Sequence, residues 1–446
     1  MKMTNEYPKV LVLTANSIRP SHSDGWTQYN LFRGWPADRL AQIYYDGEPP
    51  EQSVCATSWK IGLEDVPLDR LLRRGLRLLG AGAVHGPDGT VMADFGRPQK
   101  PSWTVSMKTH LKQAARAWMD WRSSFRVTDR LLHWARAFHP DVVYCFPAKL
   151  RPVRFQSRIS DELGVPLLPH FLDDWLSQMY RNNWLENGPR QALSRGVIRQ
   201  LRRCSFALAI SPAMAAEYAR RFDKPFFALS NCVEVPPVWP EPPPENGGRP
   251  YSLAYVGGLH MGRFESLLET AAVVRNLRDK GIPVEIVCYE LRESQAQRAA
   301  LAQTGVVKLA GALPRADAVR RLQEASVLLQ LEPFDQAAVA YLKLSSSGKL
   351  PLYLASGRAT LIRGAAGLFS LEYMLEHHAA VAVTDPRPEL LQGALRVLLT
   401  NRAMRLDLGR SAWHLARAKH NAPGQRERFR SFLAAAAARR IPDREQ

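Results

Sequence analysis

Short apolar, β-branched or aromatic runs return along this chain at intervals filled by helix-like segments, and that alternation restricts the possible folds severely. In the first half the runs are KVLVLTA (9–15), RLAQIYYD (39–46), DVVYCF (141–146), VPLLPHF (165–171), FALAIS (206–211) and FFALSN (226–231). The second half carries SLAYVGG (252–258), VEIVCYE (284–290), VVKLAGAL (306–313), SVLLQLE (326–332), ATLIRG (359–364) and AVAVTD (380–385). Unbroken apolar runs of this length, with helices such as ESLLETAAVVRNLRDKG between them, predict strands of parallel sheets covered on both faces.

The two series are separated by VPPVWPEPPPENGGRP (235–250), too rich in proline and glycine for a helix or a sheet interior. A chain of 446 residues also exceeds one ordinary core. The expected organisation is a Rossmann-like domain over 1–234, a linker over 235–250 and a second Rossmann-like domain over 251–401. A helical, arginine-rich tail over 402–446 is expected to run back over the first domain. Two doubly wound domains joined in this way face one another across a cleft, with ligands at the carboxyl ends of the strands.

The formal charge of +18 points to anionic partners. Much of it lies on amphipathic stretches at 68–80, 108–138 and 190–204, the second carrying Trp118, Trp121 and Trp134 among the bases. Such faces suit an anionic lipid surface, and equally a solvated basic side over a core-facing stripe. Charge alone also suggests nucleic acid, but no helix-turn-helix, zinc or RNA-binding signature accompanies it. Cys55, Cys145, Cys204, Cys232 and Cys288 are widely spaced and odd in number, which predicts buried thiols rather than disulfides or zinc ligands. No apolar run reaches the length of about 18 residues that a membrane span needs, and the opening residues lead straight into a strand, so the expected location is the cytoplasm. Attachment to the inner membrane face is the extension that the basic helices suggest.

The segment most suggestive of chemistry is Ser345, Ser346, Ser347, Gly348 and Lys349, ahead of a short helical run from Leu350 to Ala355 that closes on Gly357. Small residues, a lysine and a helix start can hold a diphosphate through amides and charge. A serine-rich N-cap would use the same residues.

Several segments together resemble the retaining, GT-B-fold glycosyltransferases of family 4. ISPAMAAEYARRFDKPFFALSNCVE (210–234) resembles the segment that ends that family's first domain, and AYVGGLHMGRFESLLETA (254–271) its opening of the donor domain. VVKLAGALPRADAVRRLQEASVLLQLEPF (306–334) and the 345–357 segment resemble the donor-site stretches that follow, Gly357 standing in the glycine position. The resemblance implies a donor site lined by Gly257, Gly258, Arg263, Gly311, Leu313, Ser346, Ser347, Gly348 and Lys349, with Gly25 approaching from the first domain after Asp24. It implies further that His170, Asp173 or Asp174, at the end of a strand, reaches the reacting sugar. Arg263 and Lys349 would neutralise the two phosphates, leaving no need for a metal or cofactor. The sequence departs from the pattern at Gly258, where the family has arginine, and at Leu344 and Leu352, where it has glutamates. A leucine cannot accept hydrogen bonds from ribose hydroxyls, so either another carboxylate takes over, Glu332 being nearest in sequence, or nucleotide recognition is weaker or different. Pro351 and Ala359 depart as well.

The implied activity is transfer of a sugar from a nucleotide diphosphate to a lipid-linked or cell-surface polysaccharide acceptor, with retention. The competing expectation is a non-catalytic protein of the same fold with a degraded donor site.

Overall fold

A computed structural model describes residues 7–20, 23–62, 65, 107–181, 183–242, 249–289, 294–313 and 317–442. The basic stretch at 68–80 lies outside the described residues. The chain divides into two compact units, passing from the first to the second at Ser230 and Asn231 and back at Pro423 and Gly424.

Unit 1 holds β1 (Val10–Leu13), β2 (Leu40–Tyr44), β3 (Thr57–Lys60), β4 (Val142–Cys145), β5 (Leu167–Phe171), β6 (Ala207–Ala209) and β7 (Phe226–Ala228). They form one sheet in the order β3-β2-β1-β4-β5-β6-β7, with every pairing parallel. β1, β2, β4, β5 and β6 are buried along their whole length, as continuous apolar runs require. β3 has no counterpart among the expected runs. Its sequence, TSWK, lies at the sheet edge and is only partly buried, so no apolar run marks it.

The helix Ala422–Ala437 completes this unit. Its Phe429 is fully buried, with ring centroids 4.9 Å from Phe32 and 5.0 Å from Tyr144, and Phe432 packs against Phe206 and Phe227.

Unit 2 holds β8 (Tyr251–Val256), β9 (Val284–Tyr289), β10 (Val307–Leu309), β11 (Val327–Leu331), β12 (Thr360–Arg363) and β13 (Ala380–Val383), all parallel in the order β10-β9-β8-β11-β12-β13. The helix Arg263–Asp279 buries Leu267, Ala271, Val274 and Leu277, successive positions on one helical face, against this sheet. The helix Arg402–Lys419, expected to run back over the first domain, instead places Ala412, Leu415 and Ala416 in the core of unit 2 with Leu350, Leu354 and Ala355. Only the helix after it belongs to unit 1.

The proline-rich segment is fastened to unit 2. The Trp413 indole donates to Pro236 O at 3.0 Å, the Arg417 guanidinium to Pro237 O at 2.7 Å and the Trp239 indole to Gly357 O at 3.3 Å. Proline carbonyls have no intrasegment amide partners, so side chains from the neighbouring helix satisfy them. All five cysteines are free and buried.

Candidate functional site

In each sheet the chain leaves one strand in both directions, and that reversal opens a crevice beyond the carboxyl ends of the two central strands. In unit 2 these strands are β8 and β11. Gly257 and Gly258 follow β8 directly, and Glu332 follows β11.

Lys349 lies at this point because of the helix behind it. Tyr353, one turn along Leu350–Ser356, donates its hydroxyl to Leu329 O of β11 at 2.9 Å and accepts the Val256 amide of β8 at 3.0 Å. One buried phenol thus bridges both strands. Lys349 is the residue before this helix, and its ammonium lies 4.8 Å from the centre of the Tyr255 ring. The approach requires glycine at 257, where φ is +113° and an added Cβ would lie 3.0 Å from Lys349 Cδ and 3.5 Å from Nζ.

The Lys349 ammonium is buried and has no hydrogen-bond partner among the described residues. Burial, then the nearby Arg263 guanidinium, lowers its pKa to about 7, against the opposing pull of Glu332. An unpartnered buried cation is costly unless a ligand completes it.

Arg263 reaches the same cluster already committed. Its Nε donates to Leu331 O at 3.1 Å, one terminal nitrogen to Glu332 Oε2 at 2.9 Å, and the other lies 3.3 Å from His260 Nε2. Glu332 spends its second oxygen on Gln330 at 3.0 Å. Despite burial, Arg263 and Lys349 hold the Glu332 carboxyl below its usual range. Glu332 is therefore the counter-ion of the two cations, and both its oxygens are engaged before any ribose arrives.

His260 joins the site from the turn after β8, where Met261 and Gly262 have φ of +58° and +77°. Burial, followed by repulsion from Arg263 and Lys349, lowers its pKa to about 4, so the ring is neutral. Sequence reading missed His260 and Tyr353. The pairing of His260 with Arg263 depends on a tight turn, which leaves no periodic trace. For Tyr353 the available signal was a hydroxyl in an otherwise apolar helix.

The serines take other parts. The Ser347 amide donates to Ser370 Oγ at 2.9 Å, and no serine caps the helix, whose N-cap is Lys349. Ser346 is buried, and Gly348 has only Asn231 Nδ2, at 3.9 Å, near an added Cβ. The helix has seven residues, so its dipole is small and the lysine carries the charge. Gly311, with φ of +71°, ends the stretch after β10, and Leu313 packs on the cluster around Tyr353. Leu352 lies partly buried between two apolar clusters.

The remaining candidates belong to unit 1. Gly25 is in the helix Ser23–Phe32 after β1, where an added Cβ would lie 2.7 Å from Ser17 O and 2.8 Å from Arg19 O. Glycine is required there by the returning backbone of its own loop. A net of amides and hydroxyls fixes that loop: Gln42 donates to Thr14 Oγ1 at 2.9 Å and accepts the Ile18 amide at 2.9 Å.

His170 ends up inside the sheet, fully buried, its Nδ1 2.7 Å from the Tyr144 hydroxyl, and burial lowers its pKa to about 3. Asp174 precedes the short helix Trp175–Gln178 without accepting a capping bond from its amides. It accepts instead from the Tyr218 hydroxyl at 2.7 Å, from Arg221 at 3.3 Å and from Ser177. Asp173, partly buried beside it, adds negative charge near Tyr218. Among the described residues no three His, Cys, Asp or Glu side chains are grouped to hold a metal.

No protein-family model and no curated protein sequence matches the chain. Solved structures do. HepE of Anabaena in complex with UDP aligns over 96% of this chain and 100% of its own, with a TM-score of 0.60 and 12% identity. WaaG, a glycosyltransferase involved in lipopolysaccharide biosynthesis, aligns over 95% and 99%, with a TM-score of 0.55 and 12% identity. The fold is that of the GT-B glycosyltransferases. A putative UDP-N-acetylglucosamine 2-epimerase from Listeria monocytogenes is also similar, over 96% of each chain, with a TM-score of 0.54 and 10% identity. At such identities the GT-B likeness speaks to architecture alone. No helix among the described residues is long and apolar enough to cross a membrane.

Proposed function

We propose that the chain transfers a sugar from a nucleoside diphosphate donor to a lipid-linked or cell-surface polysaccharide acceptor. The observation that carries this reading is the buried Lys349 ammonium, without a hydrogen-bond partner among the described residues and beside the committed Arg263–Glu332 pair, at the carboxyl ends of β8 and β11. A diphosphate is the ligand whose charge answers that cation, and GT-B relatives in complex with UDP support the nucleotide.

Departure of a sugar from a diphosphate leaves negative charge on the leaving phosphate. Stabilisation of that charge by a fixed cation is usually the largest single contribution to lowering such a barrier. Lys349 would hold the β-phosphate, and Arg263, pinned by Glu332 and Leu331 O, would keep the field in place. Retention and independence from metal follow the family 4 resemblance: the leaving phosphate takes the acceptor's proton, so no protein base is required. Attachment to an anionic membrane face belongs to the same reading. Flotation with anionic vesicles at low and high salt tests it, and failure at both would end it.

The second reading, a binding protein with a degraded donor site, draws on Leu344 and Leu352 and on the bonds that Glu332 already accepts from Arg263 and Gln330. A panel of nucleotide sugars separates the two. Thermal stabilisation by a nucleotide sugar and release of its diphosphate are expected for the parent, with kcat/KM lowered ~10²–10³-fold in Lys349→Ala. Stabilisation without any release supports the binding protein, and a parent indistinguishable from Lys349→Ala in both assays sinks the site itself. An isomerised nucleotide sugar as product would favour the epimerase chemistry of the Listeria neighbour.

A further inference from the structure

A cavity of about 440 Å³ lies in unit 1, remote in sequence from the Lys349 cluster and lined by Trp121, Asp161 and five arginines. Two helices make it. On Leu150–Leu163, Arg154, Ser157, Arg158 and Asp161 fall on one face, and on Asn187–Leu201 Ala192, Arg195, Gly196 and Arg199 do the same, with Arg203 just beyond the end. The small residues form the floor. Gly196 lets the helices close: an added Cβ would lie 3.1 Å from Leu150 Cδ1 and 3.6 Å from Val153 Cγ1.

The charges around this floor do not balance. Asp161 is taken by Arg203 in a two-pronged pair of 2.7 and 2.8 Å. Arg158 touches Glu162 only at 3.8 Å, on the solvent side. Among the described residues no carboxylate pairs with Arg154, Arg195 or Arg199. Arg154 is held by a bond from its guanidinium to Trp121 O, half-buried and close enough to Arg199 that burial and then that like charge lower its pKa. Arginine does not shed its proton to relieve such crowding. Guanidinium groups converging on a cleft of roughly 300–1,000 Å³ are how proteins take up phosphate oxygens, through paired, charge-assisted hydrogen bonds.

We propose that this arginine groove is a binding site for a phosphoryl or pyrophosphoryl group, held by Arg154, Arg195 and Arg199, with Arg203 locked to Asp161 as one wall. The site is independent of the transferase reading and of Lys349. The phosphoryl group can be borne by a lipid headgroup or by a soluble molecule, and the chemistry at the groove is the same.

The test uses the full chain carrying Lys349→Ala, so that the unit 2 cluster contributes nothing. Pyrophosphate binding is followed by calorimetry, and co-sedimentation is measured with phosphatidylcholine vesicles with and without phosphatidic acid. The informative variant is Arg195→Glu with Arg199→Glu, both exposed. Its equal-charge control is Arg202→Glu with Lys280→Glu, both exposed and outside the groove. Unchanged circular dichroism melting establishes that each variant is folded. The expected result is saturable binding weakened at least about tenfold by the groove variant and under about twofold by the control. Groove-dependent binding of the phosphatidic acid vesicles, displaced by pyrophosphate, assigns the group to a lipid; groove-dependent binding of pyrophosphate alone assigns it to a soluble ligand. No binding of either probe, or equal losses in groove variant and control, overturns the proposal.

Discussion

Lys349 titrates near 7 because burial strips water from its ammonium and Arg263 stands close by. Above that pH the free site holds a neutral amine, whereas a bound diphosphate would favour the charged form. Nucleotide binding should therefore take up a proton and weaken as pH rises from 7 to about 9. Calorimetry in two buffers of different ionisation heat measures the uptake, and identical heats would contradict it. Stability runs the other way. The folded pKa lies below the ordinary 10.5, so between about 7 and 10.5 the unfolded chain binds more protons and folding gains as pH rises. Below pH 7 the folded protein bears the whole burden of the buried charge. Lys349→Met, which keeps the stem and removes the charge, should then melt higher than the parent at pH 6, with the difference shrinking toward pH 10. A lower melting temperature at pH 6 would mean that the ammonium has a partner. A lysine after small residues, ahead of a helix closed by Gly357, was legible in advance, and the structure brings Lys349 and Arg263 together beside β8 and β11. The part Glu332 plays was not legible, because a carboxylate in sequence does not say what it holds, and here each oxygen accepts a bond, one from Arg263 and one from Gln330.

Among the elements, the helix Leu350–Ser356 and the helix Arg402–Lys419 cross where two glycines meet. A Cβ added to Gly409 would lie 2.3 Å from Gly357 O, and Gly357 itself, with φ of +65°, ends the first helix against the Trp239 ring. Backbone cannot retreat as a flexible side chain can. Gly409→Ala should cost about 1–3 kcal/mol and displace the helix that carries Lys349. Denaturant melts check the first effect and nucleotide affinity the second; an alanine variant as stable as the parent would show that the crossing has slack. Strands were readable wherever both faces are covered, since burial on both sides demands an unbroken apolar run. At β3 the edge position removes that demand, and the signal with it. The arginines at 190–204 were visible as a basic amphipathic face, but that they converge with Arg154 and Arg158 on one groove depends on Gly196, whose role appears only when the two helices pack.

Across the whole molecule, three of the described histidines weaken the fold in acid, His170 and His420 buried and His260 partly so. His170 titrates at about 3, His260 at about 4 and His420 at about 4, each lowered chiefly by burial. Their unfolded values lie near 6.5, so the unfolded chain binds more protons as pH falls below that point. The stability they contribute is complete above about 6.5 and is lost progressively toward 4. The melting temperature should drop more than about 5 °C between pH 7 and pH 5, and a flat profile would contradict the burial of these rings. The two parallel sheets were legible from the alternating runs, whereas the split of the tail between the units was not. Amphipathic helices of similar composition give no hint of which core they enter. The partition has a consequence for synthesis. Residues up to Ser230 leave the ribosome first, yet their sheet lacks Phe429 and Phe432 until the last helix emerges. The later-made half can finish folding while the earlier one still waits, its Phe32 and Phe206 uncovered, for a nascent segment about two hundred residues downstream.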